Sequence, residues 1–595
     1  MQIPAFRTSR WLSSRFLFGL SLVAALVLSL PMTQAGFVTD DYVYVGILEG
    51  LKPPAPLPNT RFDLFRYMDG NPSTLEPLVR RGVYPWWSLP ELKLAFWRPL
   101  SSALMVVDQS LFGRQALGWQ LHSILWYLAV VALAGVLLVR RLLPGAVGAL
   151  ALLLFAVDEA HAVPVGWISN RNALVATALG LLGLWMHLEW RERGRTWAMP
   201  LSVVGLGLGL AGGEVALGLF AYVACYELLG ARGTFRQRFL ALVPAGLLGL
   251  GYLITYKALG YGSFGSGFYV DPAGQPGAWL RASLTRVPAL LSGLLLSLPA
   301  DLASGDTVME LGMVAAGLVG VVLVGWMLFA AWPGLTEDER RHVRWLLAGA
   351  ALSVLPMAST LPSNRLLMVP SFGAAVAAAV ALTHVWRWGE RAWRPRALAL
   401  GASVLALLHL GLAPWGWWSA ASSFRDVSAF SDRIHHGLEQ ELDQSRLAGQ
   451  RVAVLATPTP MVGMYASVRW WMEGHVLPRA WWTLSFSPHV HHATRTGPAT
   501  LEVELERGRF LTSQGERLYR GADFPLVAGH EVDLQGVRVK VLEVDGEGPR
   551  RLGLTFDVPL EDPSLVLMQW KEGALHRMEP PAVGSQVAFN IRTQR

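Results

Sequence analysis

The chain has 595 residues, of which 52% are hydrophobic and only 16% charged, with a mean hydropathy of +0.36. That excludes an ordinary soluble globule and reads as a polytopic α-helical membrane protein. The net charge of +7 does not point to nucleic acid, because the basic residues form short clusters between apolar runs rather than one stripe.

Apolar windows of about 20 residues predict about eleven spans, near 14–35, 116–139, 142–158, 172–190, 197–213, 215–230, 239–258, 308–331, 344–360, 366–386 and 397–420. The 25 Trp suit an interfacial belt. The lone Cys225 lies inside an apolar run and excludes an intrachain disulfide. Arginine clusters alternate with the spans: Arg7, Arg10 and Arg15; Arg140 and Arg141; Arg191, Arg193 and Arg195; Arg232, Arg236 and Arg238; Arg340, Arg341 and Arg344; Arg387, Arg391, Arg394 and Arg396. The positive-inside rule puts them all on the cytoplasmic face of the cell (inner) membrane, with the N-terminus inside and the C-terminal region outside. One apolar run, 278–300, carries Arg281 and Arg286 and breaks this parity, so it is read as an interfacial or re-entrant helix.

In chain order, residues 1–35 form the first transmembrane anchor. TQA before Gly36 offers the alternative of a cleaved signal peptide, against which stand the long apolar core and the many later spans. Next come two adjacent carboxylates, Asp40 and Asp41 in FVTDDYVYV, at the outer mouth of that span. An acidic pair beside hydrocarbon meets desolvation and mutual repulsion, the conditions under which a carboxylate becomes a proton acceptor near neutrality; the plainer reading is a solvated loop start. Residues 36–115 read as a first extracytoplasmic loop rich in Pro and aromatic residues, ending in an amphipathic helix that starts at Arg98 and Pro99. Within the bundle at 116–421, His122 lies on a mostly apolar helix and reads first as an interhelical hydrogen bonder. The loop LFAVDEAHAVPVGWISNRNAL gathers Asp158, Glu159, His161, Trp167 and Arg171. Glu214 sits at a span end, where a carboxylate favoured by the helix dipole competes with a functional role. From about 422 to 595, alternating runs such as TLEVELERG and HEVDLQGVRVKVLEV, broken by Gly, Pro and Asp, predict a β-rich extracytoplasmic domain. HVHH at 489–492 in that region lacks a companion ligand pattern and reads as a solvated turn.

Taken in order from about residue 37 to 380, these motifs resemble the membrane half of the GT-C superfamily, most closely the O-mannosyltransferases whose membrane part precedes tetratricopeptide repeats, and their bacterial relatives. Asp40 and Asp41 match the acidic pair that follows the first span; Arg98, Pro99 and Leu100 with Phe112 and Gly113 match an RPL element and its downstream LFG. His122 and Ser123 begin the third element. His161, Trp167, Ile168, Arg171 and Leu174 keep the fourth, in which Asp158 and Glu159 replace a His-Pro pair, and Val163 and Ala173 replace acids. Glu214 keeps the acid of an SKE element whose lysine is here Gly213. Asn364, Arg365 and Leu366 through Pro370, Ser371 and Gly373 follow the late motif. The β-rich tail departs from the family's repeats.

The resemblance implies a GT-C-like fold and an inverting glycosyltransferase. Its donor would be a polyprenyl-phosphate-linked sugar in the membrane lipid, and its acceptor an extracytoplasmic lipid, glycan or protein. On that reading Asp40 is the general base and Asp41 its partner or a metal ligand. Arg171 and Arg365 clamp the donor phosphate, because guanidinium pairs bidentately with phosphate oxygens, and His161 donates to the same phosphate. Arg98, His122, Asp158, Glu159 and Glu214 support them. Both arginines have the alternative of simply snorkelling. The pairs Asp40 with Asp41 and Asp158 with Glu159 are also candidate ligands for Mg²⁺ or Mn²⁺. The competing classes are a lipid-linked glycan transporter or flippase, which would show repeated hydropathy halves, and a non-catalytic envelope assembly protein.

Overall fold

The computed structural model describes residues 14–385, 393–546, 548–589 and 591; Arg7, Arg10, Arg387 and Arg391 of the basic clusters lie outside them. The chain forms two compact units, one from 1–36, 97–259 and 271–425, the other from 37–96, 260–270 and 426–595.

The first unit is helical, and among the described residues six helices are long and apolar enough to cross a membrane: Arg15–Gln34, Ala116–Leu142, Ile168–Arg193, Phe235–Ala258, Thr307–Gly334 and Arg396–Glu441, the last of which runs beyond residue 425. A bent pair, Ala146–Val157 with Glu159–Gly166, makes a seventh if counted as one broken span. The remaining segments expected to cross are shorter or interrupted. Ala198–Gly212 has 15 residues, about 22 Å of helix against a hydrocarbon core of about 30 Å. The run after Glu214 breaks into a 3₁₀ turn, the helix Leu217–Cys225 and a π turn at Tyr226–Gly230, and Met368–Thr383 is likewise short. The parity-breaking run forms the helix Pro276–Leu296. It packs so closely on Thr307–Ala331 that a Cβ at Gly317 would lie 1.8 Å from the Pro288 carbonyl oxygen.

Phe235, Phe239, Leu247, Leu250 and Ile254 on one of these helices, and Val322 and Phe329 on another, stand exposed, a face that only lipid covers without cost. Small residues make the internal seams: a Cβ on Gly205 would meet the Cα of Gly183 at 2.8 Å. Several arginines of the basic clusters form ion pairs. Arg141 meets Glu189 and Glu192, Arg193 and Arg195 meet Glu189, and Arg191 meets Glu227, which also accepts from His187. Arg232 and Arg341 share Asp338.

The second unit is β-rich. Six antiparallel strands lie in the order Gln586–Phe589, His491–Gly497, Thr500–Leu505, Gly548–Phe556, Val537–Asp545 and Glu531–Asp533. The period-two alternation of TLEVEL becomes alternating burial, with Leu501, Val503 and Leu505 inside. A four-stranded sheet places Arg451–Val454 parallel to both Leu565–Lys571 and Ala480–Thr483, and its Val452, Ala453 and Val454 are all buried, as a strand covered on both faces requires. The aromatic 37–96 segment is pinned into this unit by indole N–H groups. Trp86 donates to the Leu484 carbonyl at 3.0 Å and Trp87 to that of Glu516 at 3.1 Å, while Trp482 donates back to Arg80 at 2.7 Å.

HVHH is not a turn but the entry to a strand, because alternation turns His491 inward. Its Nδ1 donates to the His489 carbonyl at 2.8 Å and its Nε2 meets Ser485 Oγ at 2.8 Å. Burial lowers its pKa from 6.5 to about 4. The folded state thus binds this proton less readily than the unfolded chain, so the stabilisation is complete above pH 6.5 and fades as pH falls towards 4, by about 3 kcal/mol at most. Unfolding of this unit followed by tryptophan fluorescence should show that loss in the wild type and a flatter profile in His491→Gln.

Candidate functional site

In the β-rich unit the acidic pair opens the helix Asp40–Leu48, where the N-terminal dipole favours carboxylates. The turn into it is strained: Thr39 has φ 50° and ψ −114°, a region costly for a β-branched residue. Asp41 holds that turn closed. Its Oδ2 accepts from the Val38 N–H at 3.0 Å, and the residue is buried. Asp40 faces tyrosines instead. Tyr465 donates to its Oδ1, and Tyr67 to its Oδ2 at 3.4 Å, with Tyr44 bonded to the Tyr67 hydroxyl. Burial, then the Asp40 charge, raises the Tyr465 hydroxyl well above the usual phenol range, so it remains a proton donor to the carboxylate. Tyr84 is raised by the same two causes, and its hydroxyl donates to the Tyr67 carbonyl at 2.7 Å. The pair therefore divides its work: one carboxylate shapes the backbone and the other stands half-exposed among phenols.

In the helical unit the break between Ala146–Val157 and Ala162–Gly166 carries the predicted loop. Asp158 Oδ1 caps the short turn by accepting from Ala160 N–H at 3.0 Å, and its carbonyl accepts from Trp417 Nε1 at 3.0 Å. Glu159 Oε1 accepts from Asn364 Nδ2 at 2.9 Å; its Oε2 is buried with no hydrogen-bond partner among the described residues. Asn364 in turn accepts from Ala300 N–H and donates to Leu298 O, so it ties the loop before Met368–Val385 to the 3₁₀ turn Ala300–Ser304. Beside it, the half-buried Arg365 lies over the Trp167 ring, 5.3 Å from its centroid, and no carboxylate among the described residues lies within ion-pair distance of it.

Arg171 is placed differently. It is 2% exposed, forms an ion pair with Asp108, and donates to Ser123 Oγ at 2.8 Å and to Trp119 O at 2.7 Å. Asp108 also meets His122 Nδ1 at 2.5 Å, and Trp126 donates to His122 Nε2 at 3.0 Å. His161 is fully buried between Tyr127 OH at 3.2 Å and Ser371 Oγ at 3.0 Å. Arg98 pairs with Glu214 Oε2 at 2.8 Å. The structure therefore joins Arg171 to His122, Glu159 to the residue before Arg365, and Arg98 to Glu214.

Sequence reading passed over Asp108, although a lone carboxylate within MVVDQSLF is itself a signal. It also passed over Tyr465 and Tyr67, for which no local signal exists. Asp40 and Asp41 turn to different partners, and Asp158 Oδ1 accepts from a backbone N–H. No group of three ligating side chains among the described residues includes either pair.

No family model matches the chain, and no curated protein matches it in sequence. Two solved structures are similar in shape. The archaeal oligosaccharyltransferase AglB of Archaeoglobus fulgidus, in complex with an inhibitory peptide and a dolichol-phosphate, aligns over 79% of this chain and 65% of its own, at 12% identity and a TM-score of 0.41. The chain thus spans less than two thirds of that structure's length. ArnT from Cupriavidus metallidurans, bound to undecaprenyl phosphate, aligns over 77% of this chain and 85% of its own, at 14% identity and a TM-score of 0.36.

The two arginines should separate on stability. Asp108→Ala strands the buried Arg171 guanidinium without a counter-charge and should cost about 3–5 kcal/mol, read as a fall in Tm or in folded membrane-extracted protein. Arg365→Ala removes a half-exposed side chain with no ion pair and should change stability by less than about 1 kcal/mol.

Proposed function

We propose that the protein is an inverting, GT-C-type glycosyltransferase that moves a sugar from a polyprenyl-phosphate donor to an extracytoplasmic acceptor. The observation that carries this reading is Arg365. Arg171, Arg191 and Arg98 of the same unit are matched to carboxylates, whereas Arg365 presents a guanidinium that lies on an aromatic face with no carboxylate among the described residues within ion-pair distance, as a phosphate clamp needs. In the proposed step the Asp40 carboxylate takes the acceptor hydroxyl proton and the oxygen attacks the anomeric carbon. The bond from that carbon to the phosphate oxygen breaks, and the polyprenyl phosphate departs with the electron pair, its charge met by Arg365. Tyr465 and Tyr67 orient the Asp40 oxygens. Arg171 and His161, saturated within the bundle, serve as positioning residues for the loop that carries Trp167. Asp158, Glu159 and Glu214 support the same end of the helices. The sugar and the acceptor class, whether lipid, glycan or protein, belong to the test.

Asp40→Asn keeps size and hydrogen bonding but cannot accept the proton, so turnover with a polyprenyl-phosphate sugar should fall by roughly 10² or more. Full turnover at normal expression would overturn the base assignment. Full turnover by Asp40→Asn/Asp41→Asn would favour the transporter or assembly reading. Arg365→Lys keeps charge but loses the fork, and should raise the donor KM with little change in kcat. Repeating the assay in EDTA and then restoring Mg²⁺, Mn²⁺ or Zn²⁺ singly tests metal dependence: recovery with Mg²⁺ or Mn²⁺ but not Zn²⁺ supports a cation at the acidic pairs, and full activity in EDTA assigns both pairs protein-only roles.

The proposed orientation, with the first unit's arginine face cytoplasmic and the β-rich unit outside, requires a reporter fused near Arg595 to be active only if it matures outside the cytoplasm. A reporter active only in the cytosol would reverse it.

A further inference from the structure

The β-rich unit contains three side chains that no part of the proposed reaction uses and that converge on one point. His435 and Glu439 stand one turn apart on the helix Ala413–Glu441, and His475 follows the helix Tyr465–Met472. The i, i+4 spacing puts His435 and Glu439 on the same face of their helix. His435 Nε2 and His475 Nε2 are 3.2 Å apart, and Glu439 Oε1 lies 3.4 Å from the His475 nitrogen and 3.6 Å from that of His435. A tetrahedral zinc ion with bonds of about 2.0–2.1 Å to nitrogen and oxygen holds neighbouring donor atoms about 3.3–3.4 Å apart. The three separations therefore match three edges of one coordination tetrahedron.

We propose that His435, Glu439 and His475 bind a divalent transition-metal ion, zinc by preference, with the fourth position open to water on the exposed side of Glu439. Two imidazoles with one carboxylate favour zinc over magnesium, manganese or calcium, which take mostly oxygen. The surroundings hold the ligands in place. Gln444 bonds His475 Nδ1 at 3.0 Å, Trp470 stacks on the His475 ring at a centroid distance of 4.2 Å, and His436 Nδ1 meets the other Glu439 oxygen at 2.9 Å. Such outer partners fix ring orientation and tune affinity. Arg469, whose charge reaches His435, is balanced by Asp432 at 2.7 Å and Glu473 at 3.7 Å. Because the Tyr465–Met472 helix begins with the tyrosine that donates to Asp40, the ion would clamp that helix to the end of Ala413–Glu441 and keep the Tyr465 hydroxyl in place.

The test uses the full-length protein in detergent, stripped with a chelator and titrated with zinc chloride by calorimetry, with cobalt(II) absorption reporting geometry. One zinc per chain and the intense visible bands of four-coordinate cobalt are expected. Glu439→Gln, at an exposed position that should fold normally, and His475→Gln should each weaken zinc binding at least about tenfold. His492→Gln, in the separate histidine run, should leave it unchanged. Absence of stoichiometric binding by the wild type would overturn the site. So would wild-type affinity in the folded double variant Glu439→Gln/His475→Gln, which would place the zinc elsewhere, or loss of binding in His492→Gln alone.

Discussion

A charge inside a helical bundle surrounded by hydrocarbon must find its partner within the protein, and the first unit is organised around that requirement. Asp108, on Pro99–Phe112, pairs with Arg171 and hydrogen-bonds His122, joining three helical segments through one carboxylate. Towards the other end of the 22-residue helix Asn172–Arg193, which is about 33 Å long, Glu189 and Glu227 balance Arg191, Arg193 and Arg195. Removing either partner of such a pair costs more than the pair contributes, since the survivor is left desolvated. Arg365 differs from Arg171 in that its guanidinium lies on an aromatic ring instead of beside a carboxylate.

The β-rich unit works under a different constraint. With no disulfide to staple it, its long aromatic loop is attached by indole N–H groups that must find acceptors once buried. Trp86, Trp87 and Trp482 each find a backbone carbonyl across the 37–96 and 426–595 segments, and Trp471 donates to Lys52 O at 3.0 Å. The same segments supply the environment of Asp40. Tyr67 and Tyr84 come from the loop and Tyr465 from the C-terminal region, so folding of the unit and assembly of its carboxylate site are one event.

Hydropathy and charge clustering were enough to read a helical membrane chain with a β-rich C-terminal region, because both follow from periodicity along a few tens of residues. The six long helices coincide with apolar runs visible in the sequence. Local chemistry also marked Asp40, Asp41, Glu159, Arg171 and Arg365 as residues to inspect. What composition does not encode is helix length after breaks: the bend after Val157 and the 3₁₀ turn at Glu214 depend on packing, so apolar windows alone do not settle how many segments cross.

Side-chain roles were decided only by tertiary structure. Arg171 and Arg365 look alike in sequence, each an arginine at a span end, yet one is saturated by Asp108, Ser123 and Trp119 and the other lies on Trp167. Asp40 and Asp41 are neighbours with opposite tasks, because helix geometry turns adjacent side chains about 100° apart. The partners that distinguish them are Val38, three residues away, and Tyr465, four hundred and more residues away. Sequence determined which residues carry charge and which segments seek hydrocarbon; the fold alone decided which charges are balanced and which remain available for chemistry, since balance depends on distances that no local pattern records.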